Sequence, residues 1–76
     1  MTKDDKEKNS ILVEFAKKVR MRRHSIGLSQ EALAERSGFH VNFIGGLERA
    51  SRNPSLTSLV KLAHALEISP KDLMPS

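Results

Sequence analysis

Residues 29–49 have the sequence SQEALAERSGFHVNFIGGLER. Ser29 can cap a helix with its side-chain oxygen, and the residues after it favour a short helix that runs to about Ser37 and ends at Gly38. Apolar residues recur every three positions over residues 40–49, which predicts another short helix. The stretch therefore predicts two short helices joined by a tight glycine turn.

Helices are also predicted on both sides of this stretch. An amphipathic helix is expected over about residues 10–25, and Ser55 can cap a fourth helix after a loop that contains Pro54. Ser69 followed by Pro70 predicts a last short helical turn. The apolar stripes are Leu12, Phe15, Ala16 and Val19 in the first helix and Leu56, Leu59, Leu62, Ala63 and Leu66 in the fourth. The prediction is an all-α fold of five helices without strands.

The length and composition allow one small domain. A chain of 76 residues can bury only a small core, and the absence of Cys excludes disulfides and thiolate zinc sites. The N-terminus is polar and lacks apolar periodicity, so residues 1–9 are expected to form a flexible charged arm ahead of a domain over residues 10–76. No apolar run is long enough to span a bilayer, so no membrane partner is predicted. The composition suits a cytoplasmic protein.

Positive charge is concentrated in the middle of the chain. The net charge is +4, and residues 17–53 hold eight Lys or Arg side chains against three Glu side chains. The segments on either side are nearly neutral. Such a concentration favours a polyanionic partner such as nucleic acid, and the alternative is a solvated helix face.

An ordered series of residues recurs at fixed spacing along the chain. It consists of Leu28-Ser29-Gln30-Glu31-Ala32-Leu33-Ala34, Ser37-Gly38, Phe43-Ile44, Leu47-Glu48-Arg49 and Arg52-Asn53-Pro54-Ser55-Leu56. This series resembles the Cro and lambda-repressor helix-turn-helix family, also called the XRE family, and the match extends over residues 12–73. The resemblance implies a five-helix, lambda-repressor-like DNA-binding domain whose third helix lies in the major groove.

The resemblance implies two kinds of DNA contact. The base-reading positions match His40, Val41, Asn42 and Gly46. The amide of Asn42 can donate to and accept from one adenine. Val41 can contact a thymine methyl group, and the alternative is that it is a half-buried structural residue. The phosphate-binding positions match Gln30 at the start of the second helix and Arg49, Ser51, Arg52 and Asn53 after the third.

Two pairs of residues affect the recognition helix itself. The resemblance implies a structural ion pair between Arg23 and Glu48, which would tie this helix to the first helix. The pair Gly45-Gly46 departs from the family pattern, in which a single glycine at the second of these positions is unremarkable. Each glycine costs roughly 1 kcal/mol in a helix relative to alanine. The two glycines can let the backbone approach DNA closely, or shift recognition toward DNA shape.

The predicted partner is double-stranded DNA, bound by a two-fold symmetric homodimer at palindromic operator sites. One domain reads only a few base pairs, and related proteins place two recognition helices about 34 Å apart. Residues 54–76 are nearly neutral and offer candidate residues for the dimer surface, namely Val60, His64, Ile68, Leu73 and Met74. The alternative for Ile68 and Leu73 is that they close the core.

Other functional classes fit the sequence less well. Catalysis needs titratable groups that converge in a pocket, whereas His24, His40 and His64 are far apart in the sequence. No enzyme activity, metal, cofactor or small-molecule ligand is predicted. The competing function is a helix-turn-helix protein-interaction module, of the antitoxin or anti-repressor type, without strong DNA binding. The glycine pair favours that module, whereas the basic stretch argues against it. The first-ranked function is therefore a transcriptional regulator, either a restriction-modification controller or a repressor.

Overall fold

A computed structural model of the chain describes the backbone of residues 3–75 and the side chains of residues 9–75. Its elements, in chain order, are helix α1 (Lys3–Ser25), helix α2 (Gln30–Ser37), helix α3 (Val41–Glu48), helix α4 (Leu56–Ala65) and a 3₁₀ turn (Pro70–Asp72). The described residues contain no strand, so this part of the chain is all-helical. None of these helices has the length and apolar character needed to cross a membrane.

The structure differs from the predicted five helices at the C-terminus. The fifth helix is a single 3₁₀ turn, so the described residues form four α-helices. The backbone N–H of Ser69 donates to the Asp72 carboxylate at 3.2 Å and closes this turn. Pro75 follows shortly afterwards, and proline cannot continue a helix because it lacks the N–H donor.

Helix α1 begins at Lys3 rather than at about residue 10. The segment before Ser10 has no apolar stripe, but Lys and Glu favour helix through their intrinsic propensity and need no buried face. The flexibility expected for residues 1–9 stays a prediction. The arm and the domain over residues 10–76 include positions outside the described residues, which are Met1, Thr2 and Ser76.

A tight turn joins α2 to α3. The hydroxyl oxygen of Ser29 accepts a hydrogen bond from the N–H of Ala32 at 3.0 Å and caps the start of α2. Gly38 ends α2 in the left-handed region, with a φ of 80°, and its N–H donates to the carbonyl of Ala34. Glycine suits this position because a Cβ is strained at positive φ. Helix α3 therefore starts three residues later with its direction set by the turn.

The core lies where α2, α3 and α4 meet α1 and the C-terminal turn. Helix α2 packs against α3 and α4, helix α1 packs against α3, and the 3₁₀ turn packs against α4. Burial of these apolar side chains supplies the main force that holds α3 in place. The cluster consists of Phe15, Val19, Leu33, Ala34, Ile44, Leu47, Leu59, Leu62, Ala63, Ala65, Leu66 and Leu73.

The expected dimer residues do not form one exposed surface. Leu73 is 0 % exposed and belongs to the core, so its side chain is not available to a partner in this arrangement. Ile68 is half-buried and packs against the core. Val60 is half-buried, whereas His64 and Met74 are exposed. Leu73 and Ile68 complete the small core beneath α4. This is the alternative that the sequence analysis left open for these two residues.

Candidate nucleic-acid interface

The start of α3 is capped by a histidine. Nδ1 of His40 accepts a hydrogen bond from the N–H of Asn42 at 3.0 Å. Because Nδ1 is the acceptor, the hydrogen of the neutral ring is on Nε2, and His40 retains a donor that is not used by the cap. His40 and Asn42 are exposed, and Val41 is half-buried. The N-terminal turn of α3 thus places two exposed polar side chains next to each other.

One face of α3 points away from the core. Ile44 and Leu47 are fully buried on the inner face. With 3.6 residues per turn, the opposite face consists of Asn42, Gly45, Gly46 and Arg49. This outer face is the one that α3 presents to a partner.

The two glycines lie on this outer face and are nevertheless buried. A Cβ added at Gly45 would lie 3.0 Å from Nη1 of Arg49, and a Cβ added at Gly46 would lie 2.6 Å from Cγ of Arg52. The side chains of two arginines therefore cover the glycine backbone. This arrangement contradicts two expectations from the sequence. The backbone at Gly46 is covered and cannot approach DNA closely in this arrangement, and Gly46 is too buried to contact a base.

A buried hydrogen-bond network fixes the C-terminal end of α3. Nε and Nη2 of Arg23 donate to the two carboxylate oxygens of Glu48 at 2.7 Å and 2.8 Å. Nε2 of Gln30 donates to the same carboxylate at 3.2 Å, and Nη1 of Arg23 donates to the carbonyl of Leu28 at 2.9 Å. The network joins α1, α2 and α3 beneath the outer face of α3.

This network sets the ionisation of its members. Burial by itself would raise the pKa of Glu48, but the hydrogen bonds from Arg23 and then from Gln30 outweigh it and hold that pKa below its usual range. The hydrogen bond to Glu48 raises the pKa of Arg23 further. Both groups are therefore charged at neutral pH, and each neutralises the other in the interior.

Gln30 and Arg49 lie close to each other. Oε1 of Gln30 and Nη1 of Arg49 are 3.7 Å and 3.0 Å from the position of a Cβ on Gly45. Gln30 is also the first residue of α2, where free backbone N–H groups and the helix dipole favour an anion. One hydrogen of its side-chain amide is directed at Glu48, and the other remains available.

The polar residues after α3 have two different roles. The hydroxyl of Ser51 donates to the carbonyl of Gly46 at 3.0 Å, and the N–H of Ser51 donates to the same carbonyl at 2.9 Å. Ser51 therefore caps α3, and its expected role as a phosphate donor does not fit this arrangement because its hydroxyl hydrogen is used. Arg49, Arg52 and Asn53 are exposed. Neither arginine has an ion pair or a side-chain hydrogen bond within the part of the chain that the structure describes.

Several cations of the basic stretch serve the fold instead. Nε of Arg22 donates to the carbonyl of Leu66 at 2.8 Å, and Nη1 of Arg36 donates to the carbonyl of Ala65 at 3.4 Å. These two arginines satisfy carbonyl groups at the end of α4, where positive charge is favourable. The positive charge counted in the sequence is thus larger than the positive charge that is available to a partner.

Sequence reasoning missed one residue at this end of α3. Nη1 of Arg20 donates to the backbone carbonyl of Glu48 at 3.2 Å. Arg20 is three residues before Arg23 in α1, so both side chains point from the same face of that helix. The three-residue spacing relative to Arg23 was the feature that could have placed Arg20 beside the end of α3.

Known proteins resemble this chain in sequence and in fold. The helix-turn-helix family model (HTH_3) matches residues 17–73. The control protein C.SmaI of Serratia marcescens is 48 % identical over 60 residues, which are 79 % of this chain and 71 % of that protein. The restriction-modification controller protein C.AhdI of Aeromonas hydrophila has a crystal structure that matches with a TM-score of 0.81 at 48 % identity, over 83 % of this chain and 96 % of that one.

A third matching structure is a complex with DNA. The structure of the restriction-modification controller protein C.Esp1396I as a tetramer in complex with its natural 35 base-pair operator has a TM-score of 0.78 and 32 % identity. The match covers 83 % of this chain and 83 % of that one. Together with the extent of the family match, these relatives show that the chain belongs to the helix-turn-helix family.

Proposed function

We propose that the chain is a sequence-specific, double-stranded DNA-binding transcriptional regulator of the restriction-modification controller type. This proposal rests on the outer face of α3, where exposed Asn42 lies on the same side as the guanidinium groups of Arg49 and Arg52, which have no partner among the described residues. Such a surface supplies hydrogen-bond donors for base edges and positive charge for phosphates. The protein would act in the cytoplasm without a cofactor and would not be an enzyme.

Base recognition would begin at the N-terminal turn of α3. The side-chain amide of Asn42 matches the donor and acceptor of adenine in the major groove. Val41 lies beside it and can contact a thymine methyl group with the part of its side chain that is exposed. The free Nε2–H of His40 supplies a further donor at the same end of the helix.

Phosphate contacts would fix the position of the domain on the duplex. Gln30 brings a free amide hydrogen and the N-terminus of α2, and Arg49 adds a positive charge next to it. Asn53 is exposed in the loop after α3 and offers an uncharged donor. Such contacts set affinity and register without reading sequence.

A homodimer would double the length of the recognised site. C.Esp1396I, whose structure resembles this chain, binds its operator as a tetramer. In this chain, Leu56, Val60 and His64 follow each other at four-residue steps on α4, and Leu56 is 75 % exposed. A stripe with two apolar side chains, one exposed and one half-buried, followed by an exposed histidine is suited to pack against its copy across a two-fold axis. We infer that this stripe, rather than Leu73, lines the dimer surface.

Binding to labelled duplex DNA at several salt concentrations tests the proposal. The chain should bind duplexes with an affinity that falls steeply as salt rises, because phosphate contacts release counterions. Binding that is absent, or that is insensitive to salt, would favour the protein-interaction module. Sedimentation with a palindromic duplex should then find two chains per duplex, and a single bound chain would contradict the dimer.

A further inference from the structure

We propose that Arg20 of α1 binds a phosphate group of the DNA backbone at the C-terminal end of α3. This inference rests on the proposed function, because it concerns the same placement of α3 on the duplex. The phosphate-binding positions that the resemblance implies lie at the start of α2 and after α3, and none of them lies on α1. Arg20 would therefore add a contact from a third element.

Arg20 lies beside the elements that carry the other proposed phosphate contacts. Its Nη1 donates to the backbone carbonyl of Glu48 at 3.2 Å, which places its guanidinium group at the last turn of α3. The carboxylate of Glu48 accepts a hydrogen bond from Nε2 of Gln30 at 3.2 Å. Arg49 follows Glu48 directly and is exposed, as Arg20 is. Contacts through Glu48 and its neighbour thus connect Arg20 to two of the proposed phosphate-binding residues.

The charges at this end of α3 do not cancel. Arg23 donates to both oxygens of the Glu48 carboxylate at 2.7 Å and 2.8 Å, so this buried pair is neutral overall. Arg20 and Arg49 have no acidic partner among the residues that the structure describes. Two exposed positive charges therefore remain beside the end of α3, and an anion is the partner that they favour.

The remaining donors of Arg20 are suited to a phosphate group. A guanidinium group has five N–H donors, and Arg20 uses one of them on the carbonyl of Glu48. Such a group binds two phosphate oxygens through parallel hydrogen bonds. Arg20 can therefore bind the carbonyl and a phosphate at the same time, and the carbonyl holds the guanidinium group in place before DNA binds.

The end of α3 at which Arg20 lies is distant from the proposed base contacts. Glu48 is six residues after Asn42, which corresponds to about 9 Å along the helix axis. The N-terminal residues of a recognition helix contact base edges, and its C-terminal end can contact the backbone of the duplex. We therefore expect Arg20 to raise the affinity for every duplex and to read no base.

Another cation of the same helix provides a matched control. Nζ of Lys18 donates to the carbonyl of Met74 at 2.6 Å, beyond the 3₁₀ turn. Residues two apart on a helix are separated by about 200°, so Lys18 points away from the side on which Arg20 contacts α3. Arg20→Gln and Lys18→Gln lower the net charge by the same amount, but they act on opposite sides of α1.

The first test compares the affinities of the wild type and these two variants for one labelled duplex that the wild type binds, from about 50 to about 200 mM salt. Each phosphate contact contributes about −0.9 to the slope of the logarithm of the association constant against the logarithm of salt concentration. Arg20→Gln should bind less tightly at low salt, and the advantage of the wild type should shrink by roughly 3.5-fold over this range. Lys18→Gln should keep the wild-type slope.

The second test locates the contact on the DNA. In a series of duplexes, one phosphate at a time is replaced by an uncharged methylphosphonate. One replacement should weaken binding of the wild type and leave Arg20→Gln unaffected, because both changes remove the same contact. Urea denaturation shows whether each variant folds. Arg20→Met, which keeps the apolar stem, is the second charge-removing variant if Arg20→Gln does not fold.

Two results would overturn the inference while the proposed function stands. A folded charge-removing variant that keeps the wild-type salt slope, or that loses as much affinity as the wild type at every methylphosphonate, would show that Arg20 only caps α3. A variant that changes the order of affinities for duplexes with single base-pair changes would place Arg20 at a base. A wild-type chain that binds no duplex contradicts the proposed function as well.

Discussion

Arg23 and Glu48 join the first helix to the last residue of α3 through two parallel hydrogen bonds of 2.7 Å and 2.8 Å. Both side chains are almost completely buried. Gln30 donates to the same carboxylate from the start of α2. The orientation of α3 relative to the other helices therefore depends on a charge pair that is almost completely buried, and removal of one partner leaves the other charge uncompensated.

We expect Glu48→Ala to lower the free energy of unfolding by about 3 to 5 kcal/mol, because it leaves the guanidinium of Arg23 buried without a counterion. Urea denaturation measures this loss. Glu35→Ala is the matched control, because Glu35 is exposed on α2 and its removal should change stability by less than about 0.5 kcal/mol. Similar stabilities for the two variants would show that the pair does not hold α3.

The carboxylate of Glu48 should make the free energy of unfolding depend on pH. The pKa of Glu48 is lowered in the folded protein, so the unfolded chain takes up the proton first as the pH falls. The stability from this group is complete above the unfolded pKa of about 4.3 and is lost as the pH falls through the lower pKa of the folded state.

Glu48→Gln does not titrate, so urea denaturation from pH 7 to pH 3 should show the stability advantage of the wild type over Glu48→Gln shrinking only below about pH 4.3. An advantage that stays constant over this range would contradict the assignment.

Asn42→Ala should relax the preference at one base position by about 1 to 3 kcal/mol, because it would remove the proposed bidentate contact to adenine. Arg49→Ala should weaken all sequences to a similar extent and reduce the salt slope by about one unit, because it would remove the proposed phosphate contact. Affinities for single-base-pair variants of a bound site separate the two effects. An equal loss of cognate and non-cognate binding in Asn42→Ala would remove Asn42 from the base-reading set.

Ala50 ends α3 in the left-handed region, with a φ of 59°. Glycine has no Cβ and adopts this conformation without strain, so Ala50→Gly should raise the free energy of unfolding by roughly 1 kcal/mol. Ala50→Val is the contrasting variant and should lower it, because a β-branched residue is most strained there. Thermal unfolding of the three proteins tests the order, and a less stable Ala50→Gly would contradict it.

The helices were predictable because local rules determine them. Ser29, Gly38 and Ser55 are caps whose side-chain chemistry or backbone freedom acts within one turn. The start of α1 at Lys3 was not predictable from periodicity, since the sequence before Ser10 has no apolar period. The burial of Leu73 depends on the space left beneath α4, which no local pattern encodes.

The site was predictable in part. Resemblance to the family selected the residues of α3, but it gave no reason for Gly45 and Gly46. The structure supplies one: Arg49 and Arg52, from the segment directly after the helix, lie where side chains of these positions would stand. A net charge likewise does not say which arginines are free, because Arg22 donates to a carbonyl of α4 and Arg52 has no such partner among the described residues.

The central claim is that α3 reads specific base pairs of double-stranded DNA, and the most direct test is selection of bound duplexes from a random pool by the wild-type chain. We predict that the selected duplexes share an inverted repeat whose half-sites are centred one helical turn apart, about 34 Å, as expected for two recognition helices related by a two-fold axis. A bound pool that remains random in sequence, or a chain that retains no duplex at low salt, would contradict the account.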